Sequence, residues 1–313
     1  MSIPLPLLDR PAPSVRLAHL DQLWFQLTGT HCNLTCHHCF ISCSPHNRSF
    51  GYLEREAVER ALEESRALGV KEYYFTGGEP FLHRDIVPIL EMTLRYGPAT
   101  VLTNGTVLRD EGLVRLARAE LASPYSLEIR VSIDGYDAAT NDPIRGEGTF
   151  EREMEGVEHL LRHGFLPLVT VARTDDGQDD GELFAGFVAM LKGRGYGRPR
   201  IKILPTLRIG AETSRGRGYG EAEFVSSEMM EGFDAGLLLC SHARVISERG
   251  VHVCPILLEA PDSVLGPDLA SATTPFALRH RACWTCYQYG AICANPSGEV
   301  GETGRGVRHT LQL

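Results

Sequence analysis

Apolar residues along the first two-thirds of the chain follow two alternating periods. Leu23 to Leu27, Tyr73 to Thr76, Thr100 to Leu102, Leu127 to Ile133, Pro167 to Val171 and Arg200 to Leu204 have the length and composition of strands. Between them apolar positions fall three or four apart, the spacing of one helix face. Leu53 to Leu68 carries Ala57, Ala61, Ser65 and Leu68 on one stripe, and Gly69 ends it as a C-cap. Ile86, Ile89, Leu90 and Leu94 mark the next helix, followed by one through Leu113, Leu116, Ala117 and Leu121. Met154, Val157, Leu160 and Leu161 mark another, and Leu183, Phe184, Phe187, Val188 and Leu191 the last. Strand–helix repetition implies right-handed crossovers and a parallel sheet. Six units are too few to close an eightfold barrel. The pattern predicts an α/β fold, a partial (β/α)6 TIM-like barrel over 21–215, after an extended Pro-rich arm over 1–20. Beyond Pro205 the rhythm stops, and 216–313 is expected to be a small C-terminal cysteine-rich domain held by metal and not by a large core.

Composition narrows the partners. Among 313 residues, 43% are hydrophobic and 23% charged, ordinary values for a folded chain. Asp and Glu number 40 against 31 Lys and Arg, for a formal charge of -9, which repels nucleic acids and anionic membranes. No apolar run reaches membrane-spanning length and no secretory leader pattern opens the chain, so a cytoplasmic protein is expected. The nine cysteines are an odd number in two groups, a usage that points to metal rather than disulfides.

Cys32, Cys36 and Cys39 stand in the run CNLTCHHCF, on the loop leaving the first strand. Thiolates suit zinc or iron–sulfur clusters, and three of them leave one coordination position open. On spacing alone, a zinc knuckle completed by His31, His37, His38 or Cys43 stands beside the cluster reading. Three motifs end the following strands at the same mouth: TGGEP at Thr76 to Pro80, TNGT at Thr103 to Thr106, and SIDG at Ser132 to Gly135. The two glycines of TGGEP would let a ligand approach the backbone without meeting a Cβ. The second group comprises Cys240, Cys254, Cys283, Cys286 and Cys293. Its CxxC at Cys283 and Cys286, with two further cysteines nearby, suits a closed site for zinc or a cluster.

CxxxCxxC, GGEP, the Ser-x-Asp of the fourth strand and the six strand–helix units together resemble the radical SAM superfamily, over roughly residues 20–215. The second cysteine group looks like that family's SPASM or shortened twitch extension. The resemblance implies that Cys32, Cys36 and Cys39 hold a [4Fe-4S] cluster whose fourth iron binds S-adenosylmethionine. Gly77, Gly78 and Glu79 would receive its ammonium group, with Phe40, Pro80 and Asn104 in the same cofactor site. Ser132 and Asp134 would contact the ribose or carboxylate region, and Arg145 would pair with the carboxylate. It further implies one-electron cleavage to a 5′-deoxyadenosyl radical that abstracts a hydrogen atom, fed by a reducing protein such as a flavodoxin or ferredoxin. His38 stands where the family often has an aromatic residue. For the second group it implies one auxiliary [4Fe-4S] cluster on Cys240, Cys254, Cys283 and Cys286, with Cys293 as an alternative ligand. Trp284 would shield it from water.

The substrate is less marked. After the fifth strand, ARTDDGQDDGE sets Asp175, Asp176, Asp179, Asp180 and Glu182 at the expected mouth. These residues are either a solvated loop that caps the next helix, or a surface that attracts an amine-bearing small molecule. Twitch relatives oxidise sugar or cyclitol alcohols, so the resemblance points to an oxidoreductase that dehydrogenates an aminocyclitol or aminoglycoside in antibiotic or natural-product biosynthesis. The auxiliary cluster would accept the electron. The rivals are an epimerase in which Cys43 or Cys293 returns a hydrogen atom, a ribosomal-peptide maturase, and a non-catalytic iron–sulfur or zinc protein. His159 and His163, four apart on a helix with no third ligand near, are expected on a solvated face.

Overall fold

The computed structural model describes residues 7, 11–174 and 177–292. The arm enters as a two-residue strand, β1 (Ser14–Val15). The barrel follows with strands β2 (Gln22–Gln26), β3 (Glu72–Thr76), β4 (Ala99–Thr103), β5 (Leu127–Ser132), β6 (Leu168–Ala172) and β7 (Arg200–Leu204). These pair parallel in sequence order. Side chains alternate across each strand, so Leu23 and Phe25 join the core under the helices while Trp24 faces the other way.

The helices are α1 (Arg55–Leu68), α2 (Ile86–Thr93), α3 (Asp110–Ala122), α4 (Ala138–Arg145), α5 (Thr149–Arg162) and α6 (Asp180–Gly193). Val58, Leu62, Ile89, Leu116, Val157 and Phe187 from five of them are fully buried against the sheet. Each such side chain stabilises the fold by roughly 1.5–3 kcal/mol. Gly69 ends α1 in a left-handed conformation, φ 72°, as its position suggested. Helix α4 was not foreseen: AATNDPIR has no apolar stripe and carries Pro143 inside it.

Past β7 the sheet continues. β8 (Ala243–Ser247) pairs parallel with β2, and β9 (Gly250–His252) and β10 (Val264–Gly266) add antiparallel. The result is a nine-stranded sheet in which the cysteine-rich part extends the barrel. That part also packs into an apolar core, shared with Trp24, Leu34, Ile41, Phe50 and Tyr74 of the barrel, where a unit held mainly by metal was expected. Val225, Leu238, Leu239, Val253, Leu257, Phe276 and Leu278 pack around its cysteines. These apolar residues sit in bends, loops, one-turn helices and a two-residue strand, which leave no periodic signature.

The arm is tied down. β1 pairs antiparallel with β11 (Phe276–Ala277), and the Leu278 amide donates to the Pro13 carbonyl at 2.8 Å. The last described helix, α7 (Ala282–Tyr289), carries Cys283 and Cys286. No described helix is long and apolar enough to cross a membrane.

Candidate active site and a second thiol site

A cavity of about 1380 Å³ opens where β2 to β7 end, the side of α/β sheets at which ligands bind. Its wall includes Cys32, Cys36, Cys39, Phe40 and Cys43 from one loop, then Gly77 and Gly78, Asn104, Ser132, Asp134 and Arg145. The cysteine loop is clamped from two sides. His37 donates its amide to the Ile144 carbonyl at 2.8 Å, and the Ala211 amide donates to the Cys39 carbonyl at 2.9 Å. At Gly210, φ 63°, a Cβ would stand 2.4 Å from the Phe40 carbonyl oxygen, so only glycine lets this segment back the loop. The Leu34 amide donates to Cys32 Sγ at 3.4 Å and the Cys43 amide to Cys39 Sγ at 3.3 Å. Asn104 Nδ2 donates to Cys32 Sγ at 3.7 Å. Such bonds favour sulfur that carries negative charge.

The glycine pair also meets the protein's own backbone. A Cβ on Gly78 would lie 2.0 Å from the His31 carbonyl oxygen, and one on Gly77 would lie 2.3 Å from Thr28 Oγ1. The pair admits the cysteine loop on one side and lines the cavity on the other. Glu79 is fully buried and does not line the cavity. Its carboxylate accepts from the Phe81 amide, Thr103 Oγ1 and the Asn104 amide at 2.9, 2.7 and 2.7 Å. Burial pushes the Glu79 carboxyl up, against these bonds. The side chain joins the GGEP and TNGT turns from behind the cavity wall. Pro80 opens a buried turn behind it, away from the cavity wall.

Arg145 is likewise already engaged. Its Nη1 donates to Asp134 Oδ2 at 2.8 Å and its Nε to Glu153 Oε1 at 2.5 Å, all three side chains being buried. Asp134 also receives His38 Nε2 at 2.9 Å and the Ala172 amide at 2.9 Å. Arg145 thus grips two carboxylates of the protein through Nη1 and Nε, and Asp134 is held by three donors, while both residues still line the cavity. Burial opposes ionisation of Asp134, but the charges of His38 and Arg145 hold its carboxyl well below the usual range. Burial dominates at Glu153 and lifts it to about 7. Ser132 Oγ meets Thr170 Oγ1 at 3.2 Å on the cavity wall.

The donor set fits a metal cluster at this mouth. Burial lifts the Cys32 thiol to about 11 and Cys36 to about 12, so their thiolates need a cationic partner. Trp24 Nε1 and His38 Nδ1, on residues of the wall, are buried with no hydrogen-bond partner among the described residues, as a site built for a polar guest would leave them. Cys43 is buried against Cys39, and that contact with burial pushes its thiol well up.

A second chamber of about 360 Å³ is lined by Cys240, Cys254, Cys283 and Cys286 among Leu238, Ile256, Phe276 and other apolar side chains. All four thiols are buried, and none of the eight described cysteines is in a disulfide. Cys283 and Cys286 share one face of α7 by their spacing. Burial pushes Cys240 and Cys283 well up, and neighbouring thiols add to it. Four soft donors around a dry chamber fit a closed thiolate site. Among the described residues no three such ligands gather tightly enough for a single ion; here the thiols surround a space. Cys293 lies outside the described residues. Trp284, in α7 between Cys283 and Cys286, stacks on Tyr287.

Residues 27–182 match the model of the Radical SAM superfamily. This half of the chain is a radical SAM domain. Over 152 residues it is 32% identical to the antilisterial bacteriocin subtilosin biosynthesis protein AlbA of Bacillus subtilis, covering 47% of this chain and 32% of that one. Over 189 residues it is 29% identical to mycofactocin maturase MftC of Mycolicibacterium smegmatis, covering 60% and 43%. Over 136 residues it is 34% identical to the AdoMet-dependent heme synthase of Methanosarcina barkeri, covering 43% and 37%. The chain thus spans between about a third and a half of these relatives. In fold it is similar to anSMEcpe with bound AdoMet, with TM-score 0.59 and 15% identity over 80% of this chain and 76% of that one. The same protein with AdoMet and the Kp18Cys peptide gives TM-score 0.57 at 14% identity, covering 80% and 79%.

Around the radical SAM domain's mouth, the acidic loop does not build an amine site from its described residues. Asp179 caps α6 by accepting the Glu182 amide at 2.9 Å, and Asp180 faces Arg173 at 3.4 Å. Asp175 and Asp176 lie outside the described residues. The charged wall residues are instead His38, Arg130, Asp134, Arg145 and Lys202. Arg130 and Lys202 were missed, although LEIRVS and RIKIL carry a signal: a parallel strand buried on both faces is normally apolar throughout. His159 and His163 both face Asp110, at 3.7 and 3.0 Å, on a solvated face as expected.

Proposed function

We propose that the chain is a radical SAM oxidoreductase that removes two hydrogens from a natural-product precursor, with an auxiliary cluster on the second thiol set. One observation carries this reading. The active-site cavity runs from Cys32, Cys36 and Cys39 to Pro255, the residue after Cys254. A substrate in it would lie between the two thiol sites. S-adenosylmethionine on a reduced [4Fe-4S] cluster at Cys32, Cys36 and Cys39 supplies a 5′-deoxyadenosyl radical, which takes one hydrogen atom. Loss of a proton and one electron completes the oxidation, and Cys240, Cys254, Cys283 and Cys286 would hold the electron-accepting group. A flavodoxin or ferredoxin is the proposed reductant.

The similarity to a bacteriocin biosynthesis protein and a mycofactocin maturase favours a maturase with a peptide precursor over an aminocyclitol dehydrogenase. The wall supports the same preference, because Asp134 is the one carboxylate among its described residues and is already paired with Arg145 and His38. A polycationic substrate would find no unpaired carboxylate among the wall's described residues. Anaerobic reconstitution with dithionite and S-adenosylmethionine tests the activity, and failure to form 5′-deoxyadenosine overturns it. A peptide encoded beside the gene should then become lighter by two hydrogens. An unchanged peptide with an oxidised aminocyclitol would reverse the substrate assignment. Solvent deuterium in an otherwise unchanged product would favour epimerisation through Cys43 or Cys293.

A further inference from the structure

Arg244, in β8, is 1% exposed. A buried guanidinium is costly unless an anion faces it. The other deeply buried arginines have one: Arg145 bonds Asp134 and Glu153, and Arg130 bonds Glu128. Arg244 meets only carbonyls. Its Nε donates to Ala272 O at 2.8 Å, and its Nη1 to Cys240 O at 2.8 Å and Ala243 O at 2.7 Å. Carbonyl oxygens satisfy its donors but leave its charge uncompensated, and among the described residues no carboxylate pairs with it. The ionisable groups that favour its charge are the thiols of Cys240 and Cys254. One of its hydrogen bonds lands on the backbone of Cys240 itself.

We propose that Arg244 is the counter-charge of the auxiliary cluster and raises its reduction potential. This rests on the reading of Cys240, Cys254, Cys283 and Cys286 as cluster ligands. Four thiolates leave such a cluster with net negative charge, which grows by one on reduction. A fixed cation in dry surroundings therefore favours the reduced state, and net charge and hydrogen bonding are what set such potentials. Arg244 would thus make the second site a better electron acceptor.

The test uses the full-length chain with Cys32, Cys36 and Cys39 changed to Ala, reconstituted anaerobically so that only the auxiliary cluster remains. Its midpoint potential is followed by electron paramagnetic resonance during a redox titration, with iron counted per chain. Arg244→Met should shift the midpoint to more negative potential at unchanged iron, while Arg244→Lys stays near the parent. Loss of iron uptake in Arg244→Met that Arg244→Lys restores also supports the charge role. An unmoved midpoint in Arg244→Met, equal shifts in both variants, or loss of iron in both overturns it. If the parent background binds no iron, the cluster reading itself fails.

Discussion

The two thiol sites use the same donor atom in opposite surroundings. The mouth site offers three cysteines on one loop, two of them half-buried, beside a cavity of about 1380 Å³. The second site takes four buried cysteines from three separate stretches of chain, around a chamber of about 360 Å³. Three donors with an open side leave room for an exchangeable ligand, whereas four in a dry enclosure close the coordination shell. A loop can be clamped with one position open because its shape comes from backbone bonds to Ile144 and Ala211. The closed site instead depends on packing between α7, the segment 254–257 after β9, and the turn at Leu239.

The sharpest way to break this contrast is Cys36→Ala, which should reduce 5′-deoxyadenosine to background while leaving the second site's iron in place. Chromatography of the nucleoside and iron per chain measure both. Cys283→Ala should do the reverse: cleavage of S-adenosylmethionine persists, product formation fails, and thermal stability falls by several kcal/mol with loss of the metal-linked closure. Equal loss of cleavage in the two variants would show that the sites are not separable.

Next in size is Arg145→Met. It strips the buried Glu153 of its cation and leaves Asp134 with His38 alone, at a cost of about 3–5 kcal/mol in urea unfolding. The smallest effect concerns the segment that backs the mouth loop. Arg217 and Arg208 hold the Glu223 carboxyl down at about 2, below its ordinary 4.5. A depressed acid stabilises the fold above 4.5 and loses that contribution as pH falls toward 2. Glu223→Gln should flatten this acid limb, by under about 1 kcal/mol for an exposed pair. Circular dichroism against pH measures it.

The barrel was legible because each strand from Leu23 to Leu204 is an apolar run separated by helix-period segments, and because motif residues end strands at one mouth. What escaped detection depended on partners far away in the chain. Nothing near Arg145 in the sequence shows that Asp134 and Glu153 will occupy it, and nothing in TGGEP shows that its glycines make room for His31. The core around the second thiols stayed hidden because Leu238, Leu257 and Phe276 sit in a bend, a one-turn helix and a two-residue strand, all too short to have a period. Helix α4 was hidden by Pro143 and its polar neighbours. The family resemblance named Cys240, Cys254, Cys283 and Cys286, which line the second chamber, with Cys293, outside the described residues, as the alternative, but Arg244 carries no local signal.

The pairing of β1 with β11 joins residues about 260 positions apart. During synthesis the arm therefore emerges long before its partner exists. The same delay affects β2, which remains an unpaired edge until β8 has been made. The barrel's first strand thus waits, vulnerable to association with other chains, for a partner that follows it by more than two hundred positions. Slow translation or premature termination before Ala243 should accordingly yield aggregates rather than a folded barrel, and the order of manufacture becomes a condition for obtaining the enzyme at all.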